Sequence, residues 1–107
     1  MAFVMIPLIE QNREAIVALC VKYGVKRLEL FGSAARGEDF DPDTSDVDFF
    51  YILDNVDSRD LADRFFMFAE DLERLLGRRV DLVSLKHRRN PYFILVSDRS
   101  RIVLHAA

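Results

Sequence analysis

Two short segments near the middle of the chain constrain its fold more than any other feature. The first reads Gly-Ser-Ala-Ala-Arg-Gly over residues 32–37, and the second reads Ser-Asp-Val-Asp-Phe-Phe over residues 45–50. Residues 25–31, before the first segment, alternate well enough for a strand. Residues 46–53 form a β-branched and aromatic run that also favours a strand. The pattern therefore predicts one strand that ends at a Gly-Ser turn and another that begins at an Asp-x-Asp pair.

The Asp-x-Asp pair concentrates negative charge on one side of its strand. Side chains two residues apart on a strand point to the same face, so Asp46 and Asp48 are expected to project side by side. Two carboxylates that close repel each other unless a cation lies between them. Mg²⁺ prefers carboxylate oxygens together with substrate phosphates. The pair therefore predicts a site for a complex of metal and nucleotide.

A third carboxylate is usually needed for two-metal nucleotidyl transfer, in which ions about 3.5–4 Å apart contact both the attacking and the leaving oxygen. Asp81 is the best candidate, because Val80 and Leu82 share one face of a predicted strand and Asp81 lies on the other. Asp81 is also a better candidate than His87 or His105 to help deprotonate an acceptor hydroxyl. The sequence thus predicts an acidic cleft opposite an apolar face.

The Gly-Ser turn supplies groups that bind phosphate. Gly32 has no side chain and lets a nucleotide approach the backbone closely, while the Ser33 hydroxyl and amides at a helix start can donate to phosphate oxygens. Arg36 can add a charge-assisted contact, although an ion pair with Glu38 or Asp39 of the acidic loop at residues 38–44 is equally compatible with the sequence. We therefore predict that this turn contacts the phosphates of a nucleotide.

Composition limits the classes of protein that fit. The 107 residues are 50% hydrophobic, carry a formal net charge of −3 and include one cysteine, Cys20. A chain of this length holds one core, so we predict a single domain over residues 1–107. The charge argues against nucleic-acid binding by the whole surface, and the longest apolar run is far short of a membrane span. With no signal segment at its start, the sequence predicts a cytoplasmic protein without membrane association.

Two longer helices are predicted around these strands. Helical spacing of apolar residues favours a first helix over residues 7–23, which ends at Gly24. Ser58 is the predicted cap of a second helix that carries an apolar stripe. Phe66 and Met67 fall away from that stripe, and we favour a partner-binding surface for them.

Together these motifs resemble the nucleotidyltransferase superfamily related to DNA polymerase β, and in particular its short branch, the minimal nucleotidyltransferase (MNT) proteins. The resemblance covers nearly the whole chain. The matching residues of the Gly-Ser-x-x-Arg-Gly, Ser-Asp-x-Asp and Val-Asp-Leu-Val motifs are Gly32, Ser33, Arg36, Gly37, Ser45, Asp46, Asp48 and Asp81. The resemblance implies an α/β (α+β) fold, with a small mixed sheet of about four strands and helices packed mainly on one face.

The same resemblance implies a metal-dependent nucleotidyltransferase that uses ATP. Its catalytic residues and the ligands of two Mg²⁺ ions are then Asp46, Asp48 and Asp81, and its nucleotide-binding residues are Gly32, Ser33, Arg36 and Ser45. Many small members of this branch are encoded beside a HEPN-domain protein and act as the antitoxin of a toxin–antitoxin pair. The implied function is transfer of AMP from ATP to a hydroxyl, in particular that of a tyrosine, of the partner HEPN ribonuclease toxin, which neutralises the toxin.

Two other functions stay open at this point. The chain can be a catalytically silent antitoxin that acts by complex formation alone, or an enzyme that transfers a nucleotide to a small molecule. Direct binding of nucleic acid is not expected.

Overall fold

The computed structural model of this chain describes residues 6–36, 46–55, 57–85 and 101–107. Along the chain the elements are α1 (Pro7–Tyr23), β1 (Val25–Phe31), α2 (Ser33–Arg36), β2 (Val47–Leu53), α3 (Leu61–Leu76), β3 (Val80–Ser84) and β4 (Ile102–Ala106). The strands form one mixed sheet in the order β3-β2-β1-β4. Strand β1 runs antiparallel to β2 and β4, whereas β2 and β3 are parallel. The predicted fold class, a small mixed α/β sheet of about four strands, is confirmed.

Helix α1 forms over the predicted residues. Pro7 occupies its first position, where the missing N–H costs nothing. The helix ends at Gly24, whose φ of 69° is left-handed and whose N–H donates to the carbonyl of Cys20. Ile16 and Cys20 are fully buried, and burial raises the pKa of the Cys20 thiol to about 12. Cys20 therefore acts as a small apolar core residue, as the sequence predicts.

Helix α3 begins later than predicted, and the assignment of Ser58 as its cap is wrong. Asp60 occupies the N-cap position without a side-chain cap hydrogen bond, and the helix starts at Leu61. The Ser58 hydroxyl accepts a hydrogen bond of 3.1 Å from Arg64 and, by its own hydrogen bond, lowers the pKa of Asp60. The Ser58 hydroxyl is therefore engaged by the side chains of Asp60 and Arg64 and not by the helix N–H groups that a cap would satisfy.

The helices cover one face of the sheet. Leu28, Leu30 and Phe49 point from the strands into this layer and are fully buried, which contributes roughly 1.5–3 kcal/mol for each side chain. Tyr23 of α1 and Phe68 of α3 meet edge to face with ring centroids 6.1 Å apart. Of the helices in the described ranges, none combines the length and the apolar character that crossing a bilayer requires. The opposite face of the sheet carries the acidic residues of β2 and β3.

Candidate active site

Strands β2 and β3 place two of the predicted acids side by side. In the parallel pairing Asp48 lies opposite Asp81, next to the apolar pair Val47 and Val80. Neighbouring strands lie about 4.8 Å apart, so residues in register project from the same face at about that spacing. Asp48 is half-buried and Asp81 is exposed. The two carboxylates therefore share the face that the long helices do not cover.

Asp46 lies one residue before β2 and is exposed. The strand ladder begins directly after it, where the Val47 N–H donates to the carbonyl of Arg79 at 3.1 Å. Within the described ranges, no three side chains of His, Cys, Asp or Glu are close enough to form a metal cluster. Mg²⁺ is commonly held by one or two carboxylates together with substrate phosphates. The donor set therefore fits a metal that binds with its nucleotide.

The Gly-Ser turn lies directly against the Asp-x-Asp strand. Phe31, the last residue of β1, pairs with Asp48, and Gly32 follows with a φ of 74°. A Cβ added at Gly32 would lie 2.5 Å from Oδ2 of Asp48, closer than real Cβ atoms approach. Glycine is therefore required here both by the left-handed backbone and by the neighbouring carboxylate. A phosphate at the Gly32 backbone would lie close to the Asp48 carboxylate, so the two anions would need a cation between them.

Helix α2 continues from this turn. It starts at Ser33, ends at Arg36, and is tied to the turn by the Ala35 N–H, which donates to the Gly32 carbonyl at 3.1 Å. Ala34 is buried, so one side of the short helix packs into the core. The structure does not describe the side chains of Ser33 and Arg36, nor Gly37, the acidic loop 38–44 and Ser45, so the contacts predicted for this group lie outside the described residues. These contacts stay predictions.

A buried carboxylate beside the site was missed by the sequence reasoning. Glu29 lies in the middle of β1 with no exposed surface. Nε of Arg101 donates to its Oε1 at 2.5 Å, and Nε of Arg27 donates to its Oε2. Burial alone would raise the pKa of Glu29, but the hydrogen bonds and charges of the two arginines lower it overall. The only local indication in the sequence that Glu29 is paired is Arg27, two residues earlier.

The outward face of α3 carries two large apolar side chains. Phe66 is 67% exposed and Met67 is 52% exposed, which confirms that they fall away from the buried stripe. Their assignment to a partner-binding surface stays a prediction.

The sequence matches the model of the nucleotidyltransferase domain over residues 13–106. The chain belongs to the nucleotidyltransferase domain family. Two relatives from Methanocaldococcus jannaschii are named as candidate protein adenylyltransferases. One is 39% identical over 71 residues, which cover 66% of this chain and 68% of the relative. The other is 33% identical over 91 residues, which cover 85% of this chain and 88% of the relative. These matches identify a nucleotidyltransferase enzyme.

Solved structures share the fold. A structure described as a candidate minimal nucleotidyltransferase superposes with a TM-score of 0.70 at 29% identity, over 95% of this chain and 98% of that one. A chain from a toxin–antitoxin structure with AMP-PNP gives 0.65 at 20% identity, over 90% and 74% of the two chains. A chain from the complex of a tri-AMPylated Shewanella oneidensis HEPN toxin with its MNT antitoxin gives 0.60 at 18% identity, over 92% and 72%. The resemblance to minimal nucleotidyltransferases is thereby confirmed.

Proposed function

We propose that this nucleotidyltransferase transfers AMP from ATP to a hydroxyl of a partner HEPN toxin, in particular a tyrosine hydroxyl, and so neutralises the toxin. The contact between Gly32 and Asp48 carries the proposal, because it joins a backbone suited to phosphate and a carboxylate suited to metal in one site. The two relatives named as candidate protein adenylyltransferases support a protein acceptor. The shared fold with a chain from a complex of an AMPylated HEPN toxin and its antitoxin supports the choice of partner. Because ATP is the donor, we assign the reaction to the cytoplasm.

The acidic residues and the turn have separate roles in this proposal. Asp46, Asp48 and Asp81 would hold two Mg²⁺ ions jointly with the phosphates of bound ATP, since Mg²⁺ is commonly bound by one or two carboxylates plus substrate phosphates. When bound, the ions supply positive charge to the phosphates and lower the pKa of the acceptor hydroxyl. The phosphates would be contacted by Gly32, Ser33, Arg36 and Ser45.

The reaction is a displacement at the α-phosphorus of ATP. The acceptor oxygen forms a new bond to this phosphorus, while the bond from the phosphorus to the oxygen that bridges to the β-phosphate breaks. Pyrophosphate leaves with the electron pair of that bond. The proton of the acceptor hydroxyl passes to Asp81 and then to water, and the exposed position of Asp81 suits contact with both a protein hydroxyl and solvent. The product is an AMP ester of the partner.

Transfer of label from α-labelled ATP tests the proposal directly. The acceptor is the HEPN-domain protein encoded by a neighbouring gene, and Mg²⁺ is present. Wild type is compared with Asp48→Asn and with the matched control Asp63→Asn, which changes an exposed aspartate on α3. We expect label on the acceptor with wild type and the control, and a rate at least about 100-fold lower with Asp48→Asn.

The other outcomes separate the alternatives. A tight complex that forms without any transfer of label would replace the enzymatic proposal with a silent antitoxin that acts by binding. Transfer to a small hydroxyl compound, with none to the protein, would assign the site to a small-molecule nucleotidyltransferase.

A further inference from the structure

The buried carboxylate of Glu29 anchors two distant parts of the chain to each other. Its two oxygens accept separate hydrogen bonds, one from Arg27 within β1 and one from Arg101, 72 residues further along. Removing one partner of a buried ion pair leaves an uncompensated charge, so such an arrangement persists in the folded protein. Charge-assisted bonds of this kind are short and directional. They therefore fix the position of the Arg101 guanidinium.

The sheet is irregular at this point. In the pairing of β1 with β4, Leu28 lies opposite His105 whereas Glu29 lies opposite Val103, so β4 contributes an extra residue between them. That extra residue, Leu104, is buried in the core. Irregularities of this kind bend a strand and redirect side chains, and they are common beside active sites. The β4 pairing thus changes register at Glu29 itself.

The Arg101 guanidinium lies against an aromatic pair. Its Cζ is 5.5 Å from the ring centroid of Phe50, within the range of a cation–π contact. Phe50 is fully buried and stacks on Phe31, with ring centroids 4.0 Å apart and an angle of 14° between the planes. Glu29, Phe31 and Phe50 therefore form one packed group on the face of the sheet that bears the acids.

This group borders the candidate site at two points along the backbone. Phe31 immediately precedes Gly32 and pairs with Asp48 across the two strands. Asp48 is also two residues before Phe50 on β2. Because the space between Gly32 and Asp48 leaves no room for a methyl group, a small shift of either aromatic ring would change the contact that joins the turn to the acid.

We propose that Glu29 is a positioning residue for nucleotidyl transfer, which holds Arg101 against the Phe31–Phe50 stack and thereby fixes Gly32 and Asp48. The kinetic part of this inference rests on the function proposed above. Glu29 acts through these neighbours, so its loss affects the rate of the chemical step more than the binding of nucleotide.

A double-mutant cycle tests the inference with Glu29→Gln, Arg101→Gln and the double variant, assayed by transfer of label from α-labelled ATP. We expect kcat to fall about 10- to 100-fold in each single variant, with the KM for ATP changed less than about threefold. The double variant should be no slower than the slower single variant, because both residues act through the same stack. Asp54→Asn, which removes an ion pair with Arg64 at the other end of β2, is the control and should keep the wild-type kcat.

A second measurement does not depend on activity. In NMR spectra of the full chain, Glu29→Gln should shift the amide signals of Gly32 and Asp48, and Asp54→Asn should leave them unchanged. Arg101→Lys, which keeps the charge but loses the planar group, replaces Glu29→Gln if that variant does not fold. Unchanged signals of Gly32 and Asp48, or a wild-type kcat in folded Glu29→Gln, would overturn the inference. If wild type itself transferred no label, the proposed function would fail while the NMR result still decided the role of Glu29.

Discussion

Two glycines flank strand β1, and each lies close to an aspartate. Gly32 lies close to Asp48 within β2, and Gly24 lies close to Asp54 just after β2. Gly24 precedes the strand with a φ of 69°, and Gly32 follows it with a φ of 74°. A Cβ added at Gly24 would lie 2.5 Å from Oδ1 of Asp54, and one added at Gly32 would lie 2.5 Å from Oδ2 of Asp48. The backbone geometry is nearly the same at both ends of the strand pair.

The electrostatic surroundings of the two carboxylates differ. Asp54 accepts a hydrogen bond of 3.1 Å from Nη1 of Arg64, and its N–H donates to the Gly24 carbonyl. Asp48 lies level with a second acid, Asp81, on the next strand. The first end joins opposite charges, which stabilises the fold, whereas the second brings like charges together and favours a bound cation. One geometry therefore serves the fold at one end and, under the proposed function, the chemistry at the other.

Replacing each glycine by alanine gives the largest expected effects on activity and stability, and the two variants separate the roles of the two ends of β1. Gly32→Ala should lower the rate of AMP transfer about 100-fold or more, because the methyl group displaces Asp48 from its place beside the turn. Gly24→Ala should keep activity per folded molecule but lower the free energy of unfolding by about 2–3 kcal/mol, since it adds backbone strain and disturbs Arg64. Denaturant unfolding and label transfer measure the two effects. Equal losses of activity in both variants would contradict the division of roles.

Arg64 is expected to be the main stabilising side chain at the Gly24 end. Its guanidinium donates to the carbonyls of Tyr23, Asp54 and Asn55 and to the Ser58 hydroxyl, and it joins α1, β2 and α3. Arg64→Met keeps much of the side-chain volume but leaves these acceptors without their donor. It should lower the free energy of unfolding by about 2–3 kcal/mol.

A matched variant in the same region tests whether the loss of a positive charge alone lowers the free energy of unfolding. Arg59→Met changes an exposed arginine of the turn before α3 and should shift stability by less than about 0.5 kcal/mol. AMP transfer should stay at the wild-type rate in both variants when they are assayed well below their melting temperatures. A large loss of activity in folded Arg64→Met would show that the Gly24 end is coupled to the chemistry.

The features that the sequence predicted depend on local signals. The bounds of α1 follow from proline, apolar spacing and a left-handed glycine, all of which act within a few residues. The outward position of Asp81 follows in the same way from alternation along a strand. These interactions need no knowledge of the rest of the chain, so they are visible in the sequence alone.

The features that the sequence missed depend on side-chain partners and strand pairings that hydrophobic periodicity does not reveal. Ser58 resembles a helix cap, but Arg64 binds its hydroxyl from the first turn of α3. Glu29 was not singled out in the sequence, because its partner Arg101 lies 72 residues further along and is brought beside it by the pairing of β1 with β4. The approach of Gly32 to Asp48 likewise depends on the register of two strands. Strand register and long-range ion pairs are set by the whole fold, which local patterns do not encode.

Acid should weaken the fold partly through Glu29. Burial opposes ionisation of this group, but the two arginines lower its folded pKa below the ordinary value of 4.5. Glu29 therefore stabilises the folded state above about pH 4.5, and that contribution is lost as the pH falls through the lower folded pKa. Thermal unfolding from pH 6 down to about pH 3 should show a steeper loss of stability in wild type than in Glu29→Gln. If stability fell equally with pH in the two proteins, Glu29 would have the same pKa in the folded and the unfolded state, contrary to this prediction.

The smallest expected changes in the free energy of unfolding have opposite signs at the two ends of β2. Asp54→Asn weakens a partly exposed ion pair with Arg64 and should cost up to about 1 kcal/mol. Asp81→Asn removes one of two like charges opposite each other on β2 and β3, so in EDTA it should raise the free energy of unfolding by about 0.2–1 kcal/mol. Addition of Mg²⁺ and a nonhydrolysable ATP analogue should stabilise wild type more than Asp81→Asn and so narrow or reverse that difference. If Asp81→Asn instead destabilised the protein without ligand, the two carboxylates would be part of the structural framework, and the contrast between the ends of β2 would disappear.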